Sequence, residues 1–231
     1  MQRNPLHNDL ATTLRALARL LEYPGSELRG HLPELRAALH GARAVSRQRL
    51  AQLDALVDGL LAQGDMDAEE NYVQLFDCGR ATSLHLFEHV HGDSRDRGPA
   101  MIDLARTYEA AGLYLAEGEL PDYLPVVLQF ASTQPAPQAR AFLAEMAHIL
   151  NAIHNALQKR NSLYAGVLGA LIEMAGDTTR ATEVPDEAPL DESWEEPLAF
   201  DGCSTQGQAT PGQAQPIRIV RTKPHAQGAS T

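Results

Sequence analysis

Apolar residues recur at helical spacing along most of the chain, as far as Gly176. The first helix is predicted from four leucines on one face and a turn-forming tripeptide after them: Leu10, Leu14, Leu17 and Leu21, then Tyr23-Pro24-Gly25. Sustained alternation with a period of two, which marks a half-buried strand, is missing from the sequence. The pattern predicts an all-α fold, a single helical bundle-like domain.

Capping residues, prolines and glycines delimit the helices that follow. Their expected starts and bounds are Ser26 with a restart at Pro33, Ser46 to Leu61, Asp67 with Glu70 as a capping pair, Ser83 to Gly92, Pro99 to Gly112, Val126 to Ala131, a long helix from Pro137 through Leu157, and a last helix after Ser162. Between two of them, residues 119–125 form a proline-bracketed loop.

The stretch from Asn71 to Ala105 concentrates aromatic, histidine and arginine side chains in few residues. On the helix predicted between Ser83 and Gly92, leucine, phenylalanine and valine share one side, and two histidines and a glutamate share another. Such a polar face is less common than a lysine/glutamate face. The candidate chemistry is therefore expected in this stretch.

Composition and charge exclude several functional classes. The chain has 231 residues and a net charge of −11, which argues against a nucleic-acid-binding surface and allows a basic partner. The sequence contains no apolar run long enough for a membrane span and no basic-then-apolar signal region at its start. Cys78 and Cys203 match no disulfide or metal framework. A cytoplasmic protein is expected.

The composition changes after Gly176. No Lys or Arg occurs between Arg180 and Arg218, and residues 202–216 are rich in Gly, Gln, Thr and Pro. Such a segment buries too little apolar surface to offset its ordering entropy. We therefore expect a helical domain over residues 1–176 and a flexible acidic, Gly/Gln/Pro-rich tail over residues 177–231, with a short docking motif around Trp194 as an alternative for part of it.

One five-residue motif suggests metal chemistry. His85-Leu86-Phe87-Glu88-His89 has the H-x-x-E-H pattern, in which two histidines one helical turn apart bind Zn²⁺ and the glutamate activates water. A third ligand would be needed, such as Glu109, Glu119 or Glu145. Short motifs also arise by chance, so a zinc-dependent hydrolase is kept as an alternative to histidines that face solvent or line a groove.

Several segments carry a resemblance to a known family. They are residues 72–77 (YVQLFD), 79–84 (GRATSL), 87–98 (FEHVHGDSRDRG) and 119–125 (ELPDYLP), and residues 20–24 (LLEYP) and 190–196 (LDESWEE) also fit. Together they resemble the NarJ-type chaperones, the nitrate reductase delta subunit family related to the maturation chaperones of other molybdoenzymes. Cys78 stands where the family pattern reserves no cysteine.

The resemblance implies a helical chaperone and not an enzyme. Such a chaperone binds the apo catalytic (alpha) subunit of respiratory nitrate reductase, mainly through that subunit's N-terminal segment. It keeps the subunit competent for insertion of molybdopterin guanine dinucleotide and an iron–sulfur cluster before membrane docking, and binds no cofactor stably itself. Molybdenum cofactor biosynthesis proteins are a further expected partner. A general adaptor for helical peptides remains an alternative.

The resemblance also implies a set of partner-binding residues. They are Tyr72, Phe76, Leu84, Phe87, His89, His91, Arg95, Arg97, Glu119 and Asp122. For the apolar members, packing in the core is an alternative of about equal weight. The expected ligand is an amphipathic segment whose apolar side fills a groove lined by Tyr72, Phe76 and Phe87.

Overall fold

A computed structural model describes residues 5–92 and 94–179, with side chains from Asp9 onward. Within these ranges the chain forms ten α-helices and a short 3-10 turn. The helices are α1 (Pro5–Leu20), α2 (Ser26–Ala42), α3 (Arg47–Ala62), α4 (Asp65–Phe76), α5 (Leu86–Val90), α6 (Arg97–Ala110), α7 (Leu124–Thr133), α8 (Ala136–Glu145), α9 (Ala147–Lys159) and α10 (Ala165–Met174), and the 3-10 turn spans Arg80–Thr82 between α4 and α5.

The all-α prediction is confirmed for the described residues. Their extended pairing is limited to an isolated bridge between His85 and Tyr123. Within the same ranges no helix has the length and apolarity needed to cross a membrane. The predictions about the acidic tail fall outside the described residues, apart from residues 177–179.

Two helices organise the core. α1 buries the predicted leucine face and packs mainly against α7 and α2. α10 is apolar on all sides, from Val167 to Ile172, and packs against α9 and α3. A helix that is apolar all round requires neighbours on every side, which places α10 in the interior. Gly166 and Gly169 of α10 face α3, where side chains of that helix approach closely.

Several boundary predictions are wrong, among them Ser83 and Pro99 as helix starts, since α5 begins at Leu86 and α6 at Arg97. α2 runs through Pro33 without a restart, because that proline lies on the exposed side, where water can satisfy the carbonyl that loses its N–H partner. The predicted long helix from Pro137 breaks at Met146, which directs α8 against α7 and α10. α4 begins at Asp65 after Gly64, so Asp67 lies inside the helix and does not cap it.

Candidate functional site

Two adjoining cavities open along α1 and α7. Cavity A has a volume of about 480 Å³ and cavity B about 530 Å³. Cavity A is lined by Arg15, Arg19, Tyr108, Leu113, Tyr114, Leu115, Glu119, Val126, Gln129, Phe130, Ser132 and Thr133. Cavity B is lined by Arg19, Glu22, Tyr23, Tyr72, Phe76, Asp77, Leu84, His85, Gly118, Glu119, Leu120, Tyr123, Pro125, Val126 and Gln129. Because they share lining residues on α1, α7 and the loop before α7, they form one groove.

Tyrosine side chains build the inner wall of cavity B. The Tyr72 hydroxyl donates to the Leu21 carbonyl at 2.6 Å and lies 3.2 Å from the Tyr123 hydroxyl. The Tyr72 ring packs against Phe76 at 4.8 Å and against Tyr23 edge-on at 5.7 Å. Burial raises the pKa of Tyr72, so its hydroxyl stays neutral at physiological pH. The body of this wall is therefore apolar, and the hydroxyl group of Tyr72 is hydrogen-bonded.

A short backbone bridge fixes the loop between α6 and α7 against the start of α5. The Leu86 N–H donates to the Asp122 carbonyl at 3.0 Å, and the Leu124 N–H donates to the Leu84 carbonyl at 2.8 Å. The rings of His85 and Tyr123 lie 5.2 Å apart across this bridge. Two segments separated by more than thirty residues in sequence thus form one wall of cavity B.

Asp122 holds this bridge from inside the protein. Its side chain is fully buried, and one carboxylate oxygen accepts the Phe87 N–H at 3.1 Å. Arg97 lies 3.8 Å from the same oxygen and 3.4 Å from Glu88, while His85 Nδ1 lies 3.5 Å from the other. A buried carboxylate requires such compensation. Asp122 therefore positions the wall of the groove and does not face its interior.

Negative charge collects around cavity B. Glu22 accepts a hydrogen bond from Arg19 at 2.6 Å, and Glu119 accepts the Ala116 N–H at 3.0 Å. Asp77 is exposed. Burial raises the pKa of Glu22; Arg19 opposes this effect, and the charges of Glu119 and Glu27 add to it. The groove therefore combines apolar walls with an acidic end.

Cavity A has a largely apolar outer wall formed by α6 and the loop after it. From Ser94 to Leu120 the one buried residue is Tyr108, whose hydroxyl donates to the Pro121 carbonyl at 2.8 Å and whose ring packs on Phe130 at 4.6 Å. Tyr114, on this wall, is 80% exposed. An aromatic side chain that lines a cavity and is mostly exposed suits a contact with another molecule.

The predicted site residues divide between the groove and its surroundings. Tyr72, Phe76, Leu84 and Glu119 line cavity B, while Asp122 is buried behind it. Phe87, His89, His91, Arg95 and Arg97 line neither cavity. Phe87 does not line cavity B together with Tyr72 and Phe76, and its ring packs against His91 at 5.4 Å. The binding roles of all these residues stay predictions.

The helical arrangement that the zinc hypothesis required is wrong. His85 precedes α5 in extended conformation, so His85 and His89 do not lie one turn apart on a helix. His89 Nε2 lies 2.9 Å from the Ser83 carbonyl oxygen, while His85 faces Asp122. Within residues 5–92 and 94–179, no group of three or more His, Cys, Asp or Glu side chains is placed to hold a metal ion.

Much of cavity A was missed by sequence reasoning. Tyr108, Leu113, Tyr114 and Phe130 line it, although their spacing indicated only helix core or loop. One signal was available: Leu113, Tyr114 and Leu115 follow Gly112, outside any predicted helix, and apolar residues in a loop often contact another surface. Of the acidic residues of cavity B, Glu119 was predicted, whereas Glu22 and Asp77 were missed because they lie just past two helix ends.

Known proteins share both the sequence and the fold of this chain. Residues 8–169 match the family described as "Nitrate reductase delta subunit". The chain is 40% identical over 201 residues to the Escherichia coli (strain K12) protein named "Nitrate reductase molybdenum cofactor assembly chaperone NarJ", covering 81% of this chain and 85% of that protein. It is 36% identical over 195 residues to the protein of the same strain named "Probable nitrate reductase molybdenum cofactor assembly chaperone NarW", covering 84% and 81%.

The fold also matches a crystal structure of an Archaeoglobus fulgidus protein, named a candidate redox enzyme maturation protein. The TM-score is 0.51, and the match covers 77% of this chain and 97% of that one. The sequence identity is 20%, so this likeness concerns the fold alone.

Proposed function

The chain belongs to the nitrate reductase delta subunit family, and we propose that it is an assembly chaperone that binds the apo catalytic subunit of respiratory nitrate reductase. The named relatives are molybdenum cofactor assembly chaperones, and the family is not one of enzymes. The proposed binding target is the N-terminal segment of the catalytic subunit.

The observation that carries this proposal is the groove of cavities A and B. Apolar side chains from α4, α6, α7 and the loop between α6 and α7 line it, and the acidic side chains Glu22 and Asp77 line cavity B alone. An amphipathic helix that lays its apolar face into such a groove is a common form of peptide recognition. The acidic end favours basic residues on the partner, which would speed encounter more than they raise affinity.

The residues of the proposed groove have distinct roles. Tyr72, Phe76 and Leu84 form the buried floor of cavity B, and Glu119 lies where the two cavities meet. Asp122 acts indirectly, through the bridge that it stabilises. Phe87, His89, His91, Arg95 and Arg97 would contact a partner that extends beyond the groove.

Binding the N-terminal segment would leave the rest of the catalytic subunit open. In this state, molybdopterin guanine dinucleotide and an iron–sulfur cluster could be inserted in the cytoplasm before the subunit docks on its membrane anchor. Both groups are cargo of the partner, and we propose that this chain holds neither of them. Molybdenum cofactor biosynthesis proteins are a further proposed partner during insertion.

Calorimetry with a peptide copied from the first residues of the catalytic subunit tests the groove. We expect Tyr114→Ala to weaken binding about tenfold, since truncating an aromatic contact residue commonly costs more than 1 kcal/mol. The matched control is Met66→Ala, because Met66 is 82% exposed and lines neither cavity, whereas Tyr114 is 80% exposed and lines cavity A. Equal affinities of the two variants would place the binding site elsewhere.

A cellular assay separates this chaperone from a general helical-peptide adaptor. We expect deletion of the gene to leave nitrate reductase without bound molybdenum, and the Tyr114→Ala chain to restore less molybdenum than the Met66→Ala chain at equal abundance. Normal molybdenum content after deletion would favour the adaptor.

A further inference from the structure

The groove has a direction that its lining residues define. On α1, Arg15 lines cavity A alone and Arg19 lines both cavities, and Glu22, just past the end of α1, lines cavity B alone. On α7 the order is reversed, from Pro125 at cavity B to Thr133 at cavity A, so the two helices run antiparallel along the groove. Pro125 and Thr133 are about 12 Å apart along α7 at 1.5 Å per residue. A helical ligand lying along the groove would therefore have one end at each cavity.

The two ends of the groove carry opposite charge. Glu22 and Asp77 line cavity B alone, Glu119 lines both cavities, and Arg19 pairs with Glu22 at 2.6 Å and cancels much of its charge. Asp77 is left to give this end a negative potential, and Glu119 lies on the boundary between the two cavities. At the far end of cavity A, Arg15 is exposed and supplies a positive charge. The groove is thus negative at cavity B and positive at cavity A.

A helical segment from the start of a protein has a matching asymmetry. Its backbone carries about half a positive charge at the N-terminus and half a negative charge at the C-terminus. Its α-amino group, with a pKa of about 8, adds a positive charge at neutral pH. In one of the two directions both ends meet opposite charge in the groove, and in the other direction both ends meet like charge.

We propose that the partner segment binds as an amphipathic helix in a single direction, with its N-terminal end at Asp77 and its C-terminal end toward Arg15. This direction rests on the proposed function, because it concerns the same N-terminal segment in the same groove. It places the remainder of the partner on the cavity A side, next to Thr133 and the end of α7.

End-modified peptides test the direction. The probe is a 12-residue peptide copied from the start of the nitrate reductase catalytic subunit, prepared with a free or acetylated N-terminus and with a free or amidated C-terminus. A helix of about 12 residues spans about 18 Å, enough to place its ends at the two cavities. Affinities are measured by calorimetry at low salt for the full-length wild type and for Asp77→Asn and Arg15→Gln, since both side chains are exposed.

The proposed direction makes specific expectations. N-terminal acetylation should weaken binding to the wild type about two- to fivefold, the size of an exposed charge–dipole interaction. This sensitivity should largely disappear in Asp77→Asn and persist in Arg15→Gln. Amidation of the C-terminus should weaken binding to the wild type by a similar factor. This second effect should largely disappear in Arg15→Gln and persist in Asp77→Asn.

Two results would overturn the direction. If acetylation strengthens binding and Arg15→Gln abolishes that effect, the helix lies the other way. If neither modification changes the affinity in any of the three proteins, charge does not set the direction. A peptide that fails to bind the wild type in any form refutes the proposed function, and the direction with it.

Discussion

Replacing Asp122 by alanine should reduce the stability of the whole helical domain and not merely remove a contact with a partner. The carboxylate is fully buried and accepts the Phe87 N–H at 3.1 Å. It also offsets the charge of Arg97 at 3.8 Å. Alanine would leave the partly buried Phe87 N–H without its acceptor and would weaken the attachment of the loop before α7 to the start of α5, where the two backbone hydrogen bonds remain.

The magnitude follows from these contacts. A hydrogen bond to a charged group contributes about 1.5–3 kcal/mol, and removing one partner of a buried ion pair costs about 3–5 kcal/mol. Arg97 is 28% exposed and keeps its ion pair with Glu88, so losing Asp122 costs less than the full penalty for breaking a buried ion pair. We expect Asp122→Ala to cost about 2–4 kcal/mol and Asp122→Asn about half as much, because the amide oxygen can still accept the Phe87 N–H.

Urea unfolding followed by circular dichroism measures the loss, with the midpoint and slope analysed separately. Hydrogen exchange at Phe87 gives a local reading, and its amide should lose protection in the alanine variant more than in the asparagine variant. The control is Asp103→Ala, whose carboxylate is 76% exposed and pairs with Arg106 across one helical turn. A surface pair of this kind contributes little. If Asp122→Ala costs no more than Asp103→Ala, the structural role assigned to this carboxylate is refuted.

Three further expectations concern the tyrosine wall, pH and metal. Tyr72→Phe removes a buried hydroxyl that donates to a backbone carbonyl at 2.6 Å, and urea titration should show a loss of about 1 kcal/mol; no loss would mean that water replaces the bond. Burial and the charge of Arg49 lower the pKa of His154 below its usual 6.5, so the unfolded chain protonates first on acidification. The contribution of neutral His154 to the free energy of unfolding should be complete above pH 6.5 and should decrease toward pH 5. His154→Gln should therefore make the free energy of unfolding less dependent on pH in this range; an unchanged pH dependence would contradict the role assigned to His154. Neither His85→Ala nor Glu88→Ala should change the metal content of the purified protein, and stoichiometric zinc lost in either variant would revive the hydrolase alternative.

The sequence by itself determined the fold class and most of the helices. Leu10, Leu14, Leu17 and Leu21 are spaced so that their burial requires a helix, and the turn at Tyr23-Pro24-Gly25 ends it. The motifs shared with the NarJ-type chaperones also indicated the family, which the similarity over most of the chain confirms. These features depend on residues close together in sequence, where local spacing fixes the geometry.

The groove was decided by tertiary structure. Glu119 and Leu84 reach one cavity because a backbone bridge joins segments distant in sequence, and nothing in either segment alone predicts that pairing. The same bridge holds His85 outside α5, which removes the helical histidine pair that its spacing had suggested. In the sequence Asp122 is a candidate binding residue, but in the structure its side chain is buried and stabilises the wall of the groove. Burial and pairing arise from long-range packing, so a pattern along the chain identifies candidate residues without determining which of them face a ligand.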